Sequence, residues 1–111
     1  MKSQYIMEKG CLVVYVPREL DHHQANPIRT ETDLLIDTYH VRHLVFDFTE
    51  TEFMDSSGIG LIMGRYKLMQ TWGGSVTIAN LPPKLEKIVS LSGLRDLCSV
   101  VKEVKEVEGE E

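Results

Sequence analysis

Residues 43 to 48, HLVFDF, are almost continuously apolar. A half-exposed strand alternates apolar and polar positions, so an unbroken run points to a strand covered on both faces inside a parallel sheet. Parallel neighbours cannot be joined by tight turns and need crossover connections, usually helices. The flanking sequence supplies them. From Asp21 to Tyr39, residues Ala25, Ile28, Thr32, Leu35 and Tyr39 fall near one helical face, and Ile59, Ile62, Tyr66 and Met69 recur at helical spacing before Gly73 and Gly74 end the pattern. SVTIAN (75–80) reads as a strand, PPKLEKIVSLSG as a helix with prolines at its start and Gly93 at its stop, and LCSVV as the last strand. At the front, QYIMEK and CLVVYV are β-type runs joined through Gly10 and predict an antiparallel hairpin. The sum is an α/β chain in the order ββαβαβαβ: a small mixed, mostly parallel sheet with helices packed on one main face.

The start of the first helix has two candidates. Asp21 followed by Gln24 resembles a capping box, whereas Asn26 before Pro27 resembles an N-cap and first helical residue. If the earlier start holds, Pro27 lies inside the helix and an irregular or kinked first turn is expected.

At 111 residues the chain fits one domain spanning 1–111, and its 42% hydrophobic and 26% charged residues have the balance of a folded soluble protein. No apolar run approaches the roughly 20 residues needed to span a bilayer, and MKSQYIMEKG lacks the apolar stretch of a secretory signal. A cytoplasmic protein with no membrane partner is expected. Residues 102–111, KEVKEVEGEE, carry −3 of the net −5, so an almost neutral body ends in an acidic tail. Neither part offers the basic stripe that nucleic-acid binding requires. Cys11 and Cys98 lie far apart in strand-like runs and read as free, buried thiols.

The chemistry concentrates in FMDSSGIG, residues 53–60, between the central strand and the second helix. In such folds the carboxyl edge of the sheet, where the chain turns from strand to helix, is where sites lie. One of Asp55, Ser56 and Ser57 suffices to cap the helix, a role that stabilises it by about 1 kcal/mol. Gly58, Gly60 and Gly64 would each cost roughly 1 kcal/mol relative to alanine in an ordinary helix. Close approach of the helix to the sheet, or of a partner's backbone to the helix, is the physical reason to omit those side chains.

Catalytic readings of this loop fail on spacing. A nucleophile elbow requires Gly two residues before its serine, but Met54 and Asp55 stand there. Gly58, Gly60 and Gly64 miss the dinucleotide-binding spacing, and no Gly-Lys-Ser/Thr run exists. His22, His23, His40 and His43 have no Cys or carboxylate pattern of metal-site spacing around them. Asp47 and Asp55 suggest a phosphoaspartate receiver, yet VVYVPREL has no acidic pair ending an early strand to hold magnesium. No enzyme, metal or cofactor is expected.

ELDHH before the first helix, FMDSSGIG, GRYKLM in the second helix and SLSGL near the end together resemble the STAS family of anti-sigma factor antagonists, in particular its sporulation members, from about Gly10 to Val101. The resemblance implies a STAS fold and a binding module that is not an enzyme. It implies an anti-sigma factor with serine kinase activity as partner, capture of which releases a sigma factor. It further implies phosphorylation by that kinase at Ser56, the serine after the aspartate of Asp-Ser-Ser-Gly, which weakens the complex, and a PP2C-type phosphatase that resets it. Partner contact is expected from Asp21, His22 and His23, whose loop the resemblance places beside the serine, and from Asp55, Ser56, Ser57, Gly58, Ile59 and Gly60. Free, the domain is expected to be monomeric. A related role in a general stress-response cascade, or a ligand-sensing STAS domain, is the alternative.

The residues make a phosphoserine switch physically sensible. A phosphate on Ser56 would lie at a helix N-terminus, where free N–H groups and the dipole favour negative charge, while conflicting with a partner surface complementary to a neutral hydroxyl. Ser57 is then expected to be the N-cap with Ser56 pointing outward. Plain alternatives stand beside these roles: a cap plus two solvated imidazoles for Asp21, His22 and His23, core packing for Tyr66 and Met69, and a solvated helix face for Arg65 and Lys67. Family members usually continue into a final amphipathic helix, of which KEVKEVEGEE allows at most a short stub.

Overall fold

The computed structural model describes residues 4–102. A hairpin opens the chain: β1 (Tyr5–Glu8) pairs antiparallel with β2 (Cys11–Tyr15), with Tyr5 opposite Val14 and Glu8 opposite Cys11. Lys9 and Gly10 form the turn with φ of 51° and 78°. Two successive left-handed residues match the right-handed twist of the strands, which is why a two-residue connection closes here. The remaining large strands, β4 (His43–Asp47), β6 (Ser75–Ala79) and β7 (Ser99–Val101), are parallel, giving the sheet order β1-β2-β4-β6-β7. The apolar run at 43–48 is thus the central strand.

The helical connections are α1 (His22–Tyr39), α2 (Ser56–Thr71), α3 (Pro83–Ser92) and the single turn α4 (Leu94–Leu97). Alternate strand residues Leu12, Val14, Leu44, Phe46, Val76 and Ile78 join Ala25, Ile28, Ile36, Leu61, Ile62, Met69, Leu85, Val89 and Leu94 of the helices in one core. On the opposite face Val13, Val45 and Ala79 form a smaller cluster, with no described helix residue in it. The helices therefore share one main face, as the strand patterns require.

Three short elements add to the expected order. β3 (Glu19–Leu20) and β5 (Phe53–Met54) make a separate two-stranded parallel sheet, and α4 precedes a last strand that starts at Ser99 rather than Leu97. Two-residue strands are too short to carry a period, so the residue pattern could not reveal them.

The first helix begins at the earlier of its two candidate starts. The Asp21 side chain accepts from the Gln24 backbone N–H at 3.0 Å, and the Ala25 N–H donates to the Asp21 carbonyl at 2.8 Å. Pro27 falls inside the helix, but the first turn is regular. The proline removes only the second-turn bond to the His23 carbonyl, and both residues lie on the exposed face, where water can take that bond. The buried face of α1 is Ala25, Ile28, Thr32 and Ile36; Leu35 is half-buried and Tyr39 is exposed, so Ile36 closes the stripe.

Arg65 departs most from expectation. Its side chain is only 8% exposed, between α2 and α1, and its Nη1 donates to the Arg29 carbonyl and the Thr32 hydroxyl, each at 3.3 Å, and to the Asp33 carboxylate. Lys67 is exposed, Met69 is fully buried and Tyr66 packs half-buried against the core. Cys11 and Cys98 are not joined in a disulfide, and lie half-buried and buried. The expected stub of a final helix lies outside the described residues.

Candidate functional site

The small sheet builds the site. Glu52 and Phe53 donate to the Arg18 carbonyl at 2.7 and 3.1 Å, Leu20 pairs with Met54, and the Asp55 N–H donates to the Leu20 carbonyl at 3.3 Å. Each strand of the pair is followed at once by an aspartate that caps a helix. Asp21 (φ −102°, ψ −173°) and Asp55 (φ −108°, ψ −170°) adopt nearly the same conformation, so α1 and α2 begin side by side at one edge of the molecule. This register brings Asp21, His22 and His23 beside Asp55, Ser56 and Ser57 although 34 residues separate the two aspartates.

Asp55, not Ser57, is the N-cap of α2: its Oδ1 accepts from the Ser57 backbone N–H at 2.8 Å. Asp55 follows β5 at once in the extended conformation an N-cap requires, and its carboxylate adds a negative charge at the positive end of the dipole. Ser57 is half-buried at the second helical position. Ser56 is the first helical residue and is exposed, and its hydroxyl has no hydrogen-bond partner among the described residues. The Gly58 and Ile59 N–H groups both reach the Asp55 carbonyl, at 3.0 and 3.3 Å. Of the free N–H groups expected at this helix start the Ser56 N–H has no partner among the described residues, whereas the donors of residues 57–59 are engaged. A group added to Ser56 would meet the dipole but no vacant donor at these positions, and would project outward.

The three glycines of the motif divide. A Cβ on Gly58 would lie 2.6 Å from Met54 Cγ and 2.9 Å from Leu20, so this glycine lets α2 rest directly on the β3–β5 pair. A Cβ on Gly60 or Gly64 would meet nothing within 4 Å. Internal packing accounts for the first and leaves the other two without a reason inside the fold.

His22 and His23 are exposed, with ring centroids 6.0 Å apart at 64°, and His22 Nε2 lies 3.4 Å from the Asn26 amide nitrogen. Ile59 is half-buried and Gly60 exposed. Phe53, half exposed on the outer face of the small sheet and opposite Glu19, also borders the serine loop. Nothing in the sequence singles it out, because one strand residue turned outward leaves no periodic signal. Asp47, the receiver-like candidate, is buried at the end of β4. Its Oδ1 accepts from the Thr49 backbone N–H and hydroxyl at 2.9 and 2.6 Å and from the Asn80 amide at 3.2 Å, which anchors the two loops at that edge. Among the described residues no group of three His, Cys, Asp or Glu is placed to hold a metal ion, and no helix is long and apolar enough to cross a membrane.

Comparison with known proteins places this geometry. The family model for the STAS domain matches residues 4–107. The chain is 38% identical over 96 residues to the anti-sigma F factor antagonist of Paenibacillus polymyxa, covering 85% of this chain and 82% of that one. Two solved structures are similar: the anti-sigma factor antagonist SpoIIAA in its unphosphorylated form, with a TM-score of 0.75, 27% identity and 96% and 92% of the two chains covered, and the Bacillus cell fate determinant SpoIIAA in the phosphorylated form, with 0.79, 28%, 97% and 98%.

Proposed function

The chain belongs to the STAS-domain family, and on that premise we propose that it is an anti-sigma factor antagonist whose hold on its partner is switched by phosphorylation of Ser56. The observation that carries this reading is the placement of Ser56: a solvent-facing hydroxyl at the first position of α2, with the cap supplied by its neighbour Asp55. Such a hydroxyl is open to a kinase and is not needed by the fold. Similarity to a solved antagonist in both its phosphorylated and its unphosphorylated form supports the same conclusion, because one backbone resembles both.

The unphosphorylated form binds the anti-sigma factor through the paired helix starts, Asp21, His22 and His23 on one side and Asp55, Ser56, Ser57, Ile59 and Gly60 on the other. Gly58 shapes this surface from beneath. Gly60 and Gly64, free of internal contacts, leave the exposed face of α2 low enough for a partner's backbone to approach. The anti-sigma factor is also the serine kinase. Its product carries about −1.5 to −2 additional charges next to Asp55. With residues 57–59 already bonded, the new group stays on the surface and faces the partner, where like-charge and desolvation conflict costs several kcal/mol and each 1.4 kcal/mol is tenfold in affinity. A PP2C-type phosphatase returns the hydroxyl.

The test is intact-mass analysis after incubation with ATP, magnesium and the cognate anti-sigma kinase. Wild type and Ser57→Ala should gain a single phosphate that persists until a PP2C-type phosphatase is added, and Ser56→Ala should gain none. Phosphate on the Ser56→Ala variant, or none on wild type, would overturn the assignment.

A further inference from the structure

The buried guanidinium of Arg65 lies outside every role assigned so far. It sits ten residues beyond the cap Asp55, and its partners Thr32 and Asp33 lie eleven and twelve residues beyond the cap Asp21. At a rise of about 1.5 Å per residue the contact is some 15 Å down each helix from its start. The helices are thus tied twice at matching depths, once at their starts by the Leu20–Met54 pairing and once at mid-length by Arg65. Packing on the shared sheet sets the general direction of both helices, and each tie adds a directional constraint to it. Two ties fix their crossing angle.

Stability does not account for this residue. An arginine taken out of water in a helix interface is repaid only when its geometry and hydrogen bonding are complete, and an apolar side chain of similar volume commonly does as well or better. Here the bonding is incomplete, because the buried Nε of Arg65 has no hydrogen-bond partner among the described residues. All resolved bonds run through Nη1 to α1: two to the helix's own carbonyl and hydroxyl at 3.3 Å, and one to the Asp33 carboxylate at its half-exposed rim. A directional charged contact at such a place can instead set the register of the two helices.

We propose that Arg65 is a positioning residue for the Ser56 surface: by clamping α2 to Arg29, Thr32 and Asp33 of α1, it holds the Asp21–His23 start at a fixed offset from Ser56. The inference rests on the partner reading above for its consequence in binding, but not for its structural half.

The test uses Arg65→Met, which keeps the length of the side chain and removes its charge and donors, with Arg65→Lys and Asp33→Asn beside it. In wild type and each variant, melting temperature, backbone amide shifts and affinity for the anti-sigma kinase are measured. Arg65→Met should stay folded, shift the amides of Asp21–His23 and Asp55–Ser57 although these lie far from the substitution, and bind about tenfold more weakly. Arg65→Lys should recover part of that loss. Should Arg65→Met fail to fold, Asp33→Asn, at the exposed end of the contact, carries the test with a loss of about threefold at unchanged melting temperature. Unmoved amides at both helix starts in a folded variant would overturn the proposal, as would full affinity in both Arg65→Met and Asp33→Asn. A wild type that does not bind the kinase would instead sink the partner reading, and the amide shifts would still decide the clamp.

Discussion

Gly58 and Gly60 stand two residues apart and answer to different demands. Gly58→Ala must push its Cβ into Met54 and Leu20, and the overpacking should outweigh the helix-propensity gain, for a net loss of about 1–2 kcal/mol in denaturant unfolding. Gly60→Ala has open space around it, so the same measurement should show a gain of about 1 kcal/mol while titration with the anti-sigma kinase shows weaker binding. A Gly60→Ala protein that is both more stable and fully competent to bind would remove the reason offered for that glycine. Cys98 gives a prediction of another kind. Burial pushes its thiol up from 9.0 to about 11. Between those values the unfolded chain has released a proton that the folded chain retains, so stability is full below pH 9 and falls as pH rises towards 11. Tyr5, raised by burial and by its hydroxyl's bond to Glu31, acts in the same direction. Melting curves from pH 8 to 11 should show this decline, and Cys98→Ala should make it shallower, most of all below pH 10, whatever its effect at pH 8. At this scale the sequence was least legible for Arg65: a cation two residues before Lys67 reads as part of a solvated face until the neighbouring helix is in place.

The elements were legible where they repeat and obscure where they do not. The unbroken HLVFDF run identified the central strand, and the 3.6-residue spacing of Ala25, Ile28 and Thr32 identified α1. The β3–β5 pair was invisible because two residues have no period, yet this pair is what sets two helix starts side by side. For the same reason the expected capping residue of α2 falls two residues too late: Ser57 has the right chemistry, and only the register of β5 shows that Asp55 arrives first. The consequence is measurable. Asp55→Ala removes a side chain that accepts from the Ser57 N–H, and Asp21→Ala one that accepts from Gln24, so each should cost about 1 kcal/mol of stability in denaturant unfolding. Ser57→Ala removes no cap and should change stability by less than about 0.5 kcal/mol. Equal losses for Asp55→Ala and Ser57→Ala would contradict the assignment.

Taken as a molecule, the chain keeps its packed layer apart from the edge proposed for partner contact. The sheet and the buried faces of the helices form one core, to which the serine loop adds Met54, whereas Ser56 is exposed, so a charge there carries no cost to packing. The motifs of that loop were readable in sequence because they are contiguous; the partnership of ELDHH with FMDSSGIG was readable only by resemblance, since nothing in either segment specifies that they meet. The central claim is that phosphate on Ser56 changes the interface and leaves the fold alone. It is tested most directly by titrating the cognate anti-sigma kinase with unphosphorylated and with Ser56-phosphorylated protein, both confirmed by mass and matched in melting temperature. A hundredfold or greater loss of affinity on phosphorylation, about 2.7 kcal/mol or more, is the predicted result. Equal affinities would contradict the account.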